Sequence, residues 1–108
     1  MLVPKKAKVL DWTMHARDKM RFYRLSEARV RRIIHSPKRI EEGIAPDTIA
    51  IMQPAGNLKN PYELWVMIVE EKARRKIISA WRYPGITKPR ESLPSQIMRE
   101  LRSALSFV

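Results

Sequence analysis

The chain of 108 residues has no cysteine, three glycines and two histidines. Without cysteine there is no disulfide, no thiolate nucleophile and no Cys-based zinc site. No Walker loop, dinucleotide fingerprint or Gly-x-Ser-x-Gly elbow occurs. His15 and His35 stand on different predicted helices, with no carboxylate pair at ligand spacing beside either, so neither a metal nor another cofactor is expected. Long apolar runs are missing as well. The longest, Leu64 to Val69, is six residues, too short to span a bilayer. The first ten residues lack the apolar stretch of a secretion signal, which makes a cytoplasmic protein without membrane contact the expectation.

What the sequence does have is positive charge. Lys and Arg number 22 against 11 Asp and Glu, a net +11. The charge is segregated: residues 1–40 carry net +9, residues 41–71 net −5 and residues 72–108 net +7. Segregation of this kind can build a coherent positive face, and polyanions are the commonest partners of such a face. RNA is therefore the first expected partner, and an acidic protein the second. The length and an apolar content of 44% suit one globular domain over 1–108.

The periodicity predicts the order β–α–α–β–β–β–α. Val9-Leu10 reads as a short first strand. Thr13 caps a helix from Met14 to about Arg24 whose apolar face is Ala16, Met20 and Tyr23. Ser26 caps a second helix, Glu27 to about His35, with Val30, Ile33 and Ile34 as its stripe; Pro37 stops it. Thr48 to Gln53 is rich in β-branched residues and ends at Pro54, before a loop to Pro61. Tyr62 to Glu71 is apolar on both alternations, as a central strand covered on both faces should be. Lys76 to Tyr83 follows as its antiparallel partner. A last helix is expected over about 94–106, with Ile97, Met98, Leu101, Ala104 and Leu105 as its stripe. The fold class is α+β, with two N-terminal helices on a mainly antiparallel meander.

The first helix carries the best chemistry. On a 3.6-residue helix His15, Lys19 and Phe22 share one flank of the core face, and Arg17, Arg21 and Arg24 the other. Metal-independent RNA cleavage needs a base for the 2′-hydroxyl, an acid for the leaving 5′-oxygen and cations around the phosphorane. Histidine titrates near neutrality and can take either proton-transfer role, while Lys and Arg stabilise the developing charge. Trp81-Arg82-Tyr83 closes the last predicted strand. Simple alternation sets Arg82 on the face of Ile78 and Ala80, opposite Ser79, Trp81 and Tyr83. Arg82 there either meets a phosphate or snorkels to solvent, and Trp81 either stacks on a base or fills the core. Arg29, Arg31, Arg32 and Arg74-Arg75-Lys76 read as phosphate contacts or as solvated faces.

His15-Ala-Arg-Asp-Lys-Met20, followed by Leu25-Ser-Glu27, a helix ending before Pro37 and an apolar strand Ile77-Ile-Ser-Ala-Trp81, resembles a family of small uncharacterised domains placed with the RelE-like nucleases. That superfamily also embraces the barnase-like and colicin-type ribonucleases. The resemblance covers about residues 8–83. It implies a RelE-like fold and RNA cleavage of toxin type, on free RNA or at the ribosome, with a protein antitoxin as partner. His15, Arg17 and Lys19 match the helical motif, and Arg82 and Tyr83 stand where the closing strand of such enzymes offers Arg or Tyr. Joined to the residue chemistry above, this makes His15, Lys19, Arg82 and Tyr83 the expected catalytic residues, with Arg17, Arg21, Arg24 and Trp81 expected to hold RNA. One departure stands out: the family's Glu-Arg-Gly turn appears as Phe22-Tyr-Arg-Leu25, without its glycine. A non-catalytic RNA- or ribosome-binding module on the same fold is the alternative expectation.

Overall fold

The computed structural model describes residues 8–42 and 47–88, together with Arg99 and Arg102. Seven elements follow in order: β1 (Val9–Trp12), α1 (Met14–Tyr23), α2 (Glu27–His35), β2 (Arg39–Glu42), β3 (Thr48–Gly56), β4 (Pro61–Glu70) and β5 (Arg74–Pro84). The five strands form one mixed sheet in the order β1-β5-β4-β3-β2. The chain is α+β, and every strand pair is antiparallel except β1 with β5. Apart from Arg99 and Arg102, the helix expected over 94–106 lies outside the described residues.

Both helices start where the caps predict. The Thr13 hydroxyl accepts from the Ala16 N–H and the Ser26 hydroxyl from the Arg29 N–H, each satisfying a donor that the first helical turn leaves open. α1 ends one residue before the expected Arg24. Arg24 takes the left-handed conformation, φ 57° and ψ 49°. Its N–H donates to the Arg21 carbonyl and the Leu25 N–H to the Met20 carbonyl. This is a Schellman arrangement, sealed by burial of Leu25.

Three strands differ from expectation. β1 runs on to Trp12 and lies parallel to β5, with Trp12 opposite Ile77. β2 has no counterpart in the predicted order, because Arg-Ile-Glu-Glu lacks the apolar alternation of a half-buried strand; it forms as a short charged edge strand. β3 continues through Pro54 to Gly56. The proline is tolerated because β2 pairs with β3 only from Ile49 to Met52, so no neighbour on that side needs the missing N–H. Gly56, at φ +80°, turns the chain towards Pro61, where an added Cβ would collide with the Asn60 carbonyl and the Tyr62 ring.

The sheet buries both faces. Towards the helices, Ala16, Met20, Leu25, Val30, Ile33 and Ile34 pack on Ile51, Leu64, Val66, Ile68, Ile77 and Ala80. On the opposite face Ala50, Met52, Trp65, Met67, Ile78 and Trp81 form a second cluster. Ile78 is a correction to simple alternation. A register shift between Met67 and Ile68 pairs Met67 with Ser79 and Ile68 with Ile77, leaving Ile78 as the extra residue. The bulge moves Ile78 to the face of Trp81, while Ala80 stays under the helices.

Candidate nucleic-acid interface

α1 packs mainly against β5. The connection is built at Thr13, whose N–H donates to the Ile77 carbonyl at 3.2 Å and whose hydroxyl donates to the same oxygen at 2.8 Å. β1 covers the edge of β5 only up to Ile77, and α1 takes over alongside the rest. Tyr23, in the last turn of α1, touches both hydrophobic clusters, as a residue at a sheet edge should.

The flank of α1 that carries Arg17, Arg21 and Arg24 opens onto a cleft of about 420 Å³, lined also by Met20, Leu25, Ser26 and Glu27. Arg17 is paired with Glu27 at 2.8 Å, and its guanidinium lies 5.7 Å from the centre of the Trp12 ring. Arg31 approaches the same ring at 5.6 Å. Arg21 is paired with Asp18 one turn back. Arg24, Arg29, Arg31 and Arg32 have no carboxylate partner among the described residues. Glu27 is the one acid on α2 and Arg17 occupies it.

The other basic cluster is ion-paired. At the β4–β5 turn Arg75 pairs with Glu70 at 2.9 Å and Arg74 with Asp11 at 3.4 Å, while Lys76 approaches Glu71 at 3.6 Å. Lys8 adds a 2.6 Å contact to Glu70. Arg74-Arg75-Lys76 is thus an ion-paired surface, which neither reading of this run anticipated.

The expected catalytic residues fall into separate groups. His15 is half-buried in the first turn of α1, with its Nε2 shielded from solvent. Lys19, one turn on, holds its ammonium 6.0 Å from the centre of the Tyr23 ring. Arg82 lies on the helix-facing side of β5, where its Nη2 donates to the Tyr23 carbonyl at 3.2 Å and its guanidinium covers the Tyr62 ring at 4.6 Å. Eight residues of helix separate His15 from Tyr23, roughly 12 Å along the axis. His15 and Arg82 therefore stand near opposite ends of α1, with Lys19 between them. Tyr83 points to the other face of the sheet, against the second cluster. Trp81 is fully buried, its ring stacked on Trp65 at 6.0 Å with planes 2° apart, and it is a core residue with no face to offer a base.

Sequence reasoning missed a polar network on the far face. Glu63 is 2% exposed, yet its carboxylate accepts the Thr87 hydroxyl at 2.7 Å, the Thr87 N–H at 3.1 Å and the Trp65 indole N–H at 3.1 Å. Arg39 lies 5.0 Å over the Trp65 ring and donates to the Thr87 carbonyl at 3.0 Å. An apolar cavity of about 350 Å³ adjoins it, lined by Met52, Tyr62, Glu63, Ile86 and Thr87 among others. The one sequence signal was Glu63 itself, an acid inside an apolar strand.

Among the described residues no cluster of three or more His, Asp or Glu could hold a metal ion, and no helix is long and apolar enough to cross a membrane. Compared with protein-family models, curated proteins and solved structures, the chain matches none.

Proposed function

We propose that the protein is a metal-independent endoribonuclease of RelE-like toxin type, acting in the cytoplasm on free or ribosome-bound RNA and held in check by an acidic protein antitoxin. The RelE-like fold, completed by a helix over about 94–106, belongs to this proposal. The observation that carries it is the arginine surface of α1 and α2. There Arg24, which lines the cleft with Arg17 and Arg21, and Arg29, Arg31 and Arg32 on α2 have no carboxylate partner among the described residues. Guanidiniums without a carboxylate partner favour phosphate oxygens, which accept two parallel hydrogen bonds from each.

The chemistry is attack of the 2′-oxygen on the adjacent phosphorus, forming a 2′,3′-cyclic phosphate as the bond to the 5′-oxygen breaks. A base removes the 2′-hydroxyl proton and an acid delivers one to the leaving oxygen. His15 serves one of these proton transfers, with Lys19 stabilising the phosphorane. Arg82 holds a neighbouring phosphate, and Tyr83 is assigned the second proton.

A second reading, a non-catalytic RNA- or ribosome-binding module, is favoured by the separation of His15 from Arg82 along α1 and by the opposite facing of Arg82 and Tyr83. Incubation of the purified protein with labelled single-stranded RNA and with translating ribosomes, in EDTA, separates the two readings. Fragments ending in 2′,3′-cyclic phosphate from wild type and not from His15→Ala support the ribonuclease. Intact RNA with binding that weakens steeply in salt supports the module.

A further inference from the structure

Phe22 is the most exposed aromatic side chain among the described residues, 75% accessible, whereas Trp65 and Trp81 are fully buried. It contributes to neither hydrophobic cluster. Its ring is nevertheless held in place, meeting Tyr23 edge to face at 4.8 Å with planes 86° apart. An edge-to-face contact fixes a ring while leaving π surface uncovered. Lys19 lies one turn back on the same flank of α1, with its ammonium over Tyr23, while Asp18, also one turn back, is paired with Arg21.

From this arrangement we infer that Phe22 is a stacking platform for an unpaired nucleobase, so that the preferred ligand is single-stranded RNA. The inference rests on the RNA reading above and names the substrate class for it. An exposed ring fixed by its neighbour, with a lysine one turn away, offers what an unpaired nucleotide needs, a π surface for the base and positive charge for its phosphates. Duplex RNA keeps its bases stacked inside the helix and cannot use such a ring. The platform lies on the flank shared by His15 and Lys19, so a base stacked there brings its own phosphates to the pair assigned to cleavage.

The test is a fluorescence-anisotropy titration of the full chain with a labelled 12-nucleotide single strand and with a blunt RNA duplex of equal length, each at several salt concentrations. Phe22→Ala is expected to lose roughly 5- to 100-fold in affinity for the single strand. Its affinity for the duplex should be unchanged. Because Phe22 touches no phosphate, its plot of log affinity against log salt should run parallel to that of wild type. Phe22→Trp should restore single-strand binding. Unchanged single-strand affinity in Phe22→Ala, or an equal loss for the duplex, overturns the platform and leaves RNA binding standing. Wild-type protein that binds neither RNA overturns the RNA reading itself.

Discussion

Trp65 and Trp81 are direct cross-strand partners on β4 and β5, and their rings stack with planes 2° apart on the face of the sheet away from the helices. Both are fully buried, so the pair fixes the register of the central hairpin on that face. The indole N–H of Trp65 donates to Glu63, whereas that of Trp81 is buried without an acceptor.

Trp81→Ala should therefore destabilise the protein by about 3–5 kcal/mol, the range for emptying a buried aromatic site. Trp81→Phe should cost less, because it also removes a buried donor that has no partner. Urea denaturation followed by circular dichroism measures both. A midpoint for Trp81→Ala equal to that of wild type would contradict a core role.

Removing the Glu63 carboxylate leaves two donors of Thr87 and the Trp65 N–H without their acceptor. Each orphaned buried group costs about 1–3 kcal/mol, so Glu63→Ala should lower the unfolding free energy by at least about 3 kcal/mol. Glu63→Gln keeps an acceptor oxygen and should lose less. The same denaturation series gives the comparison.

Arg24 occupies a left-handed position that costs a side-chain-bearing residue about 1–2 kcal/mol. Arg24→Gly removes that strain while giving up about 0.5–1 kcal/mol to the freer unfolded chain. The net expectation is a gain of about 0.5 kcal/mol, a rise in Tm of about 2–4 °C for a domain this size. If Arg24 also contacts phosphate, the same variant should bind RNA more weakly while melting later. A general loss of structure would move both quantities downward together.

The two arginine clusters should behave differently towards RNA. Replacing Arg29, Arg31 and Arg32 by Gln should weaken binding to a single strand. It should also flatten the salt dependence, by about 0.7 in slope for each phosphate no longer neutralised. Replacing Arg74 and Arg75 by Gln should change the slope less, since Asp11 and Glu70 already pair with them. Equal slopes for the two variants would argue against a localised interface on the helices.

The helices were legible because their signals are local. Thr13 and Ser26 cap as their types require, and Val30, Ile33 and Ile34 are buried as the 3.6-residue period predicts. β4 declared itself by apolar residues on both alternations. β2 was illegible because an edge strand made of Arg, Ile and two Glu has no burial pattern to read. The bulge at Ile78 was illegible for a different reason: a one-residue change of register depends on the partner strand and leaves no mark in Ile77-Ile-Ser-Ala. The candidate site was legible as a set of residue types. Alternation already set Tyr83 opposite Arg82, but sequence could not show that Trp81 is enclosed, or that Glu70 and Glu71 pair with the cations of the β4–β5 turn.

β1 has one neighbour in the sheet, and that neighbour is the last of the described strands. Trp12 pairs beside Ile77, about 65 positions later in the chain. At about 5–20 residues per second, translation takes roughly 3 to 13 s to cover that interval. Throughout it, β1 has no strand to join and Thr13 has no carbonyl of Ile77 to bind. The amphipathic stripe of α2, Val30, Ile33 and Ile34, must also wait for β3 and β4. The basic helices thus leave the ribosome first and are seated last. The first described strand closes onto the last, and the arginine-bearing helices α1 and α2 are fully seated only when β5 is in place.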